Sequence, residues 1–237
     1  MCYTFCMHML LLLLGCNPDQ GIFVHPYPGR DTGDQADSGG NGASGGGYIG
    51  DGYPGNNGPS SDDDGPRSPS PGDLLISEMM INPASVYDEY GEWVEVVNIS
   101  GEDLDLYGLV LADEGVDSGV VSFSSSILGP GDVMVFCAEQ SASSNGGVSC
   151  QGDYLYQSFG GGFAMSNGGD EVILGFDSVV LDVVRYSGSQ VVSGQSLGLD
   201  PDCMSTSGND SSNCWCPQYD AMSGGDQGSP GKSNDGC

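Results

Sequence analysis

The run from Glu92 to Asp113, EWVEVVNISGEDLDLYGLVLAD, constrains the fold more than any other part of the chain. Two apolar stretches, Trp93–Ile99 and Leu104–Leu111, flank Ser100-Gly101-Glu102-Asp103. Val, Ile and Trp in the first stretch suit a pleated, half-buried surface. Gly101 tolerates positive φ and the adjoining acids stay in water, which is turn chemistry. The expectation is two strands joined by a β-hairpin or a tight strand connection at the centre of an all-β domain. Turn signals then recur about every ten residues. Between them lie the apolar runs Leu74–Ile81, Val120–Phe123, Val133–Cys137, Tyr154–Phe159 and Ser178–Tyr186. No long helical period is present, so the predicted fold is a β-sandwich.

The apolar pattern divides the chain into three parts. Residues 9–16, Met-Leu-Leu-Leu-Leu-Leu-Gly-Cys, form an apolar core too short to span a bilayer. This is the h-region of a signal peptide, assigned to residues 1–15. Residues 16–72 are a tether: 15 of the 56 positions from Asn17 to Gly72 are Gly. Such a segment buries too little apolar surface to offset its ordering entropy. Gly-rich coil statistics give it a reach of about 40 Å, extended further by Pro69, Pro71 and the Asp62–Asp64 cluster. The folded domain is expected over 73–237, which is long enough to bury a core.

Charge excludes one class of partner. The whole chain carries 33 acids against 4 bases, a net charge of −29. Only Arg185 and Lys232 lie in 73–237, against 25 acids. A nucleic-acid binder needs a basic stripe to displace phosphate counterions, so no nucleic-acid partner is expected.

The nine cysteines point to an oxidising compartment. Six of them, Cys137, Cys150, Cys203, Cys214, Cys216 and Cys237, lie in the folded part, and three disulfides would use them all. Cys137 and Cys150 flank a Ser/Gly-rich loop and would staple it. Cys214-Trp215-Cys216 is too tight to close on itself. That leaves Cys203–Cys214 with Cys216–Cys237, or Cys203–Cys216 with Cys214–Cys237. A zinc site is disfavoured, because there is no CxxC and no His in the folded part.

The inventory for catalysis is thin. The only histidines are His8 and His25, outside the domain, so no imidazole base serves a Ser or Cys nucleophile there. Glu92 and Glu95 are three apart on one strand and point to opposite faces, which does not make a carboxylate dyad. The acids are expected to be scattered over a solvated sheet, and no enzyme activity and no cofactor is expected. Ca²⁺ is the ion these acids suit, with Asp88, Glu89 and Glu92, or Asp113, Glu114 and Asp117, as oxygen-rich loop clusters.

Two resemblances refine these readings. The acidic-Trp-apolar-Glu-apolar-x-Asn strand followed by Leu-x-Leu-x-Gly-x-x-Leu and Asp, at Glu92–Asp113, resembles the lamin-tail domain. So do Glu78 with Asn82-Pro83, the turn Leu128-Gly129-Pro130-Gly131, and Met165-Ser166-Asn167-Gly168-Gly169-Asp170-Glu171-Val172-Ile173-Leu174. The closing Gly228-Ser229-Pro230-Gly231-Lys232-Ser233-Asn234 completes the set. Leu109 departs from it, standing where that family often has Trp, and the Cys203–Cys237 tail is not part of the general pattern. The resemblance implies an immunoglobulin-like β-sandwich, found in nuclear lamins and in secreted and surface proteins of bacteria. Leu13-Leu14-Gly15-Cys16 is similar to the bacterial lipobox, which implies acylation at Cys16.

The functional expectation is a lipid-anchored module of the cell envelope, at the outer membrane or cell surface. Its loops would bind an extracellular protein or a polysaccharide. Tyr87, Tyr90, Tyr107, Tyr154, Tyr156 and Trp215 are the candidate contacts. The alternative is a Ca²⁺-binding structural domain of an envelope assembly.

Overall fold

The computed structural model describes residues 65–115, 117–157 and 161–237. The signal peptide at 1–15, Cys16 and the tether as far as residue 64 lie outside the described residues. The strands in chain order are β1 (Leu74–Met80), β2 (Trp93–Asn98), β3 (Leu104–Asp105), β4 (Val110–Ala112) and β5 (Ser118–Val120). They continue with β6 (Ser122–Phe123), β7 (Ile127–Leu128), β8 (Val133–Cys137) and β9 (Gly152–Asp153). The last are β10 (Gly169–Phe176), β11 (Val179–Ser187), β12 (Leu197–Leu199) and β13 (Trp215–Pro217). One sheet has the order β13-β12-β1-β2-β8-β9-β6, the second β11-β10-β4-β5, and β3 pairs with β7. One short helix, α1 (Asp88–Gly91), stands where a loop was expected. The all-β sandwich expectation holds.

β1 and β2 are buried at every position, a pattern that requires cover on both faces of their sheet. On the inner face Leu74, Ile76, Met79, Val94 and Val96 share one core with Leu111, Val172 and Leu174 of the second sheet. Leu109, in place of the family's Trp, is fully buried in that core. On the outer face Met80 and Trp93 pack with Val135, Cys137 and Val148. The Cys137–Cys150 disulfide closes the intervening loop over this second cluster.

The expected hairpin between Trp93–Ile99 and Leu104–Leu111 is not formed. β3 pairs with β7, and β4 lies in the other sheet between β10 and β5. The cause is the buried side chain of Asn98. Its Nδ2 donates to the carbonyls of Glu102 at 2.7 Å and Leu128 at 2.9 Å, while Oδ1 accepts from the Ser100 amide at 2.9 Å. These bonds tie residues 99–103 into a corner that hands the chain from one sheet to the other. Gly108, at φ +100°, turns it again before β4.

Other boundaries move as well. Val120–Phe123 is split at Val121, with β5 in the second sheet and β6 at the end of the first. Tyr154–Phe159 is not a strand through its described part; Tyr156 makes only a single bridge with Phe163. The β10–β11 hairpin turns through Asp177 and Ser178, whose φ values of +46° and +65° match a type I′ turn.

The domain also begins earlier than residue 73. The Arg67 amide donates to the Asp103 carbonyl at 3.1 Å, and its guanidinium pairs with Asp73 and Glu102. The cysteine-rich tail is built into the sandwich. β12 adds to β1 and β13 to β12, extending the first sheet. The disulfides there are Cys203–Cys214 and Cys216–Cys237, one of the two arrangements that spacing left open.

Candidate functional site

The expectation of solvated acids fails at the centre of the first sheet. Glu78, Glu92 and Glu95 are no more than 1 % exposed. Glu78 and Glu95 are direct cross-strand partners on β1 and β2, so their side chains share one face. That face is the outer one, and the 228–234 segment covers it. Glu95 Oε1 accepts from Ser77 Oγ at 2.8 Å and Oε2 from the Gly231 amide at 2.7 Å. Glu78 accepts from Ser196 Oγ at 2.5 Å, from the Ser229 amide at 2.8 Å and from Ser229 Oγ at 2.9 Å. Asn234 Nδ2 fastens the segment by donating to the carbonyls of Ser77 at 2.7 Å and Leu199 at 3.0 Å.

Burial pushes the Glu95 carboxyl up to about 7, against the pull of the Gly231 and Ser77 donors. Burial raises Glu78 as well, opposed by its serine partners. The physical role of the closing Gly-Ser-Pro-Gly-x-x-Asn sequence is therefore to supply donors to two sealed carboxyl groups. Both are shut off from solvent, so neither meets a ligand.

Glu92, just before β2, lies on the inner side, at one end of the sandwich. Its Oε2 accepts from the Met165 amide at 2.9 Å. Burial pushes its carboxyl up to about 9, and the charges of Asp88 and Asp170 add to the rise. Its Oε1 has no hydrogen bond of good geometry among the described residues, although the Tyr156 hydroxyl is near enough to favour its charged form. As expected, Glu92 and Glu95 point apart.

The residues around this end form an open cleft of about 720 Å³. Its lining is Pro83, Ala84, Val86, Tyr87, Asp88, Glu89, Tyr156 and Ser193. The loop that bears most of them is held from behind. Asp226, on the tail, accepts from the Ala84 and Ser85 amides at 3.1 Å and from Ser85 Oγ at 2.7 Å. Gly91 lets the loop fold back on itself: a Cβ there would stand 2.5 Å from Val86 Cγ2 and 2.7 Å from Pro83 Cβ. The cleft is thus set by backbone contacts, not by its own exposed side chains.

Among the residues singled out in the sequence, Tyr87, Tyr156, Asp88 and Glu89 come together here, with Glu92 behind them. Tyr87 is 79 % exposed, the most exposed of the large apolar side chains among the described residues. Tyr90 and Tyr107 are also exposed but do not line the cleft. Tyr154 is buried, its ring edge-on to Phe163 at 5.6 Å. Trp215 is buried too, and its Nε1 donates to the Asn209 carbonyl at 2.7 Å. Those two are packing residues.

Neither proposed Ca²⁺ cluster converges as a ligand set. Glu92 is turned inward, and Asp88 Oδ2 accepts from Asn167 Nδ2 at 3.0 Å. Asp113 Oδ1 closes its own turn by accepting from the Gly115 amide at 2.8 Å and the Asp117 amide at 3.1 Å. Glu114 pairs with Arg185 instead. Among the described residues no three His, Cys, Asp or Glu side chains are grouped to hold a metal ion.

Comparison with known proteins adds one finding. A family model described as Lamin Tail Domain matches residues 67–188, which begins at the Arg67 contact and ends just after β11. No curated protein and no solved structure matches the chain.

Proposed function

The chain belongs to the lamin tail domain family, and on that premise we propose that it is a non-enzymatic interaction module of the cell envelope. In this reading Cys16 carries the lipid anchor, the Gly-rich tether after it holds the domain clear of the membrane, and the domain binds an extracellular protein or a polysaccharide. The observation that carries the binding role is the cleft at the loop end of the sandwich, with Tyr87 standing open beside Asp88 and Glu89. Loops fixed on a rigid β scaffold are where such modules place their contacts. The anchor is supported by Leu13-Leu14-Gly15-Cys16 and the abrupt change to polar Asn17-Pro18-Asp19. Several acyl chains hold a protein to a membrane stably where one does not.

A photo-crosslinking benzophenone amino acid at position 87, on intact cells, tests the reading. The same residue at position 179, on the second sheet, is the comparison. Adduct formation to an envelope component from position 87 and not from 179 is expected. Equal labelling from both positions would overturn the assignment of this cleft.

A further inference from the structure

We infer that the cleft receives a basic segment of a partner protein, with a Lys or Arg head at Asp88 and Glu89 and its aliphatic stem along Pro83, Ala84 and Val86. This rests on the interaction-module reading and names the chemistry of its partner.

Three observations carry it. The cleft wall is made of acceptors and aromatic faces. Asp88 and Glu89 supply carboxylates with lone pairs to spare: Asp88 Oδ2 takes one hydrogen bond from Asn167, and Glu89 takes one from the Tyr90 hydroxyl. Tyr87 and Tyr156 supply aromatic rings, whose faces attract an ammonium or guanidinium group. A sugar ring asks for donors and acceptors in matched sets. Among the described residues the side-chain donors in the wall are the Ser193 and tyrosine hydroxyls.

Among the described residues no cation stands at this place. The three bases among the described residues are Arg67, Arg185 and Lys232, and none of them lines the cleft. Arg67 is held by Asp73 and Glu102, and Arg185 by Glu114. No described base supplies the positive charge that complements Asp88 and Glu89, and a partner's Lys or Arg would.

The floor, finally, is apolar and preformed. Pro83, Ala84 and Val86 line the cleft on a loop that Asp226 and Gly91 hold in place. Long basic side chains bury their methylene stems on such surfaces while the charged head stays at the rim. The strong negative charge of the whole chain steers a basic partner toward the domain but does not choose the cleft. Asp88, Glu89 and the two tyrosines make that choice.

The experiment titrates the full chain into a fluorescein-labelled peptide of alternating Lys and Gly at physiological salt and reads anisotropy. A neutral dextran is measured in parallel by competition and by direct binding. Asp88→Asn/Glu89→Gln should weaken peptide binding about tenfold, and Tyr87→Ala about fivefold. Asp202→Asn/Asp210→Asn removes the same charge from exposed positions outside the cleft and should change it less than about twofold. Equal losses in the two charge-removing pairs would overturn the inference, because attraction would then be diffuse. Dextran binding that Tyr87→Ala abolishes, with peptide binding indifferent to Asp88 and Glu89, would replace the basic peptide by a polysaccharide and leave the interaction module standing. Binding of neither ligand would overturn both.

Discussion

Replacing Glu95 by Gln should remove most of one pH-dependent component of stability. Glu95 is 1 % exposed, and burial pushes its carboxyl from an ordinary 4.5 to about 7. The folded state thus holds this proton more tightly than the unfolded chain. Stability from the group is fully present below pH 4.5 and is lost as the pH rises through 7. Linkage over that interval makes the loss about 2.5 kcal/mol between pH 5 and pH 8.

Gln fits the site in the manner of the protonated acid. Its oxygen accepts from the Gly231 amide, and its Nε2 donates to Ser77 Oγ, whose proton turns to the Glu95 carbonyl 3.4 Å away. Urea unfolding of both proteins at pH 5 and pH 8 reads the effect. Wild type should lose about 2.5 kcal/mol more than Glu95→Gln on raising the pH, because the losses from Glu78 and Glu92 have the same sign in both proteins and cancel in the comparison. Parallel pH dependence in the two proteins would refute the reasoning, as would a wild type that is more stable at pH 8.

Three further outcomes are expected. Asn234→Ala strands the buried carbonyls of Ser77 and Leu199 and should cost about 2–4 kcal/mol in the same urea assay. Removing the Cys216–Cys237 bridge as Cys216→Ala/Cys237→Ala opens the loop it closes in the unfolded chain; loop-closure entropy sets the loss at about 3 kcal/mol, read by thermal unfolding without reductant. Asp177→Asn/Ser178→Gly puts residues suited to left-handed φ into the β10–β11 turn and should raise stability by about 1 kcal/mol.

Much of this architecture was legible in the sequence, and the rest was not for physical reasons. Val and aromatic runs separated by turn residues identify strands, and Val133–Cys137 is found as read. Alternation says that a run has a buried face, but not which strand covers it. That is why the pattern places Leu104–Leu111 directly after Trp93–Ile99 in a hairpin or tight connection, whereas the Asn98 corner sends it to other partners. β12 and β13 have three residues each, too few to show a period. The buried glutamates were hidden for a different reason. Glu between apolar residues reads as a solvent-facing position, and the donors that permit its burial lie at Ser229 and Gly231, far along the chain. Part of the cleft could be read from Tyr87, Asp88 and Glu89, which stand together in sequence. Nothing local signalled that Tyr156 or Ser193 would join them.

The most direct measurement of the central claim, a domain displayed on a lipid tether, is protease digestion of intact cells. Wild type is compared with Cys16→Ser, using an antibody against the domain. The account predicts that wild-type domain is cell-bound before digestion and lost from the cells after it, through cleavage in the tether. Cys16→Ser should already be missing from the membrane fraction. Full protection of the wild-type domain in intact cells, or membrane retention of Cys16→Ser equal to wild type, would contradict it.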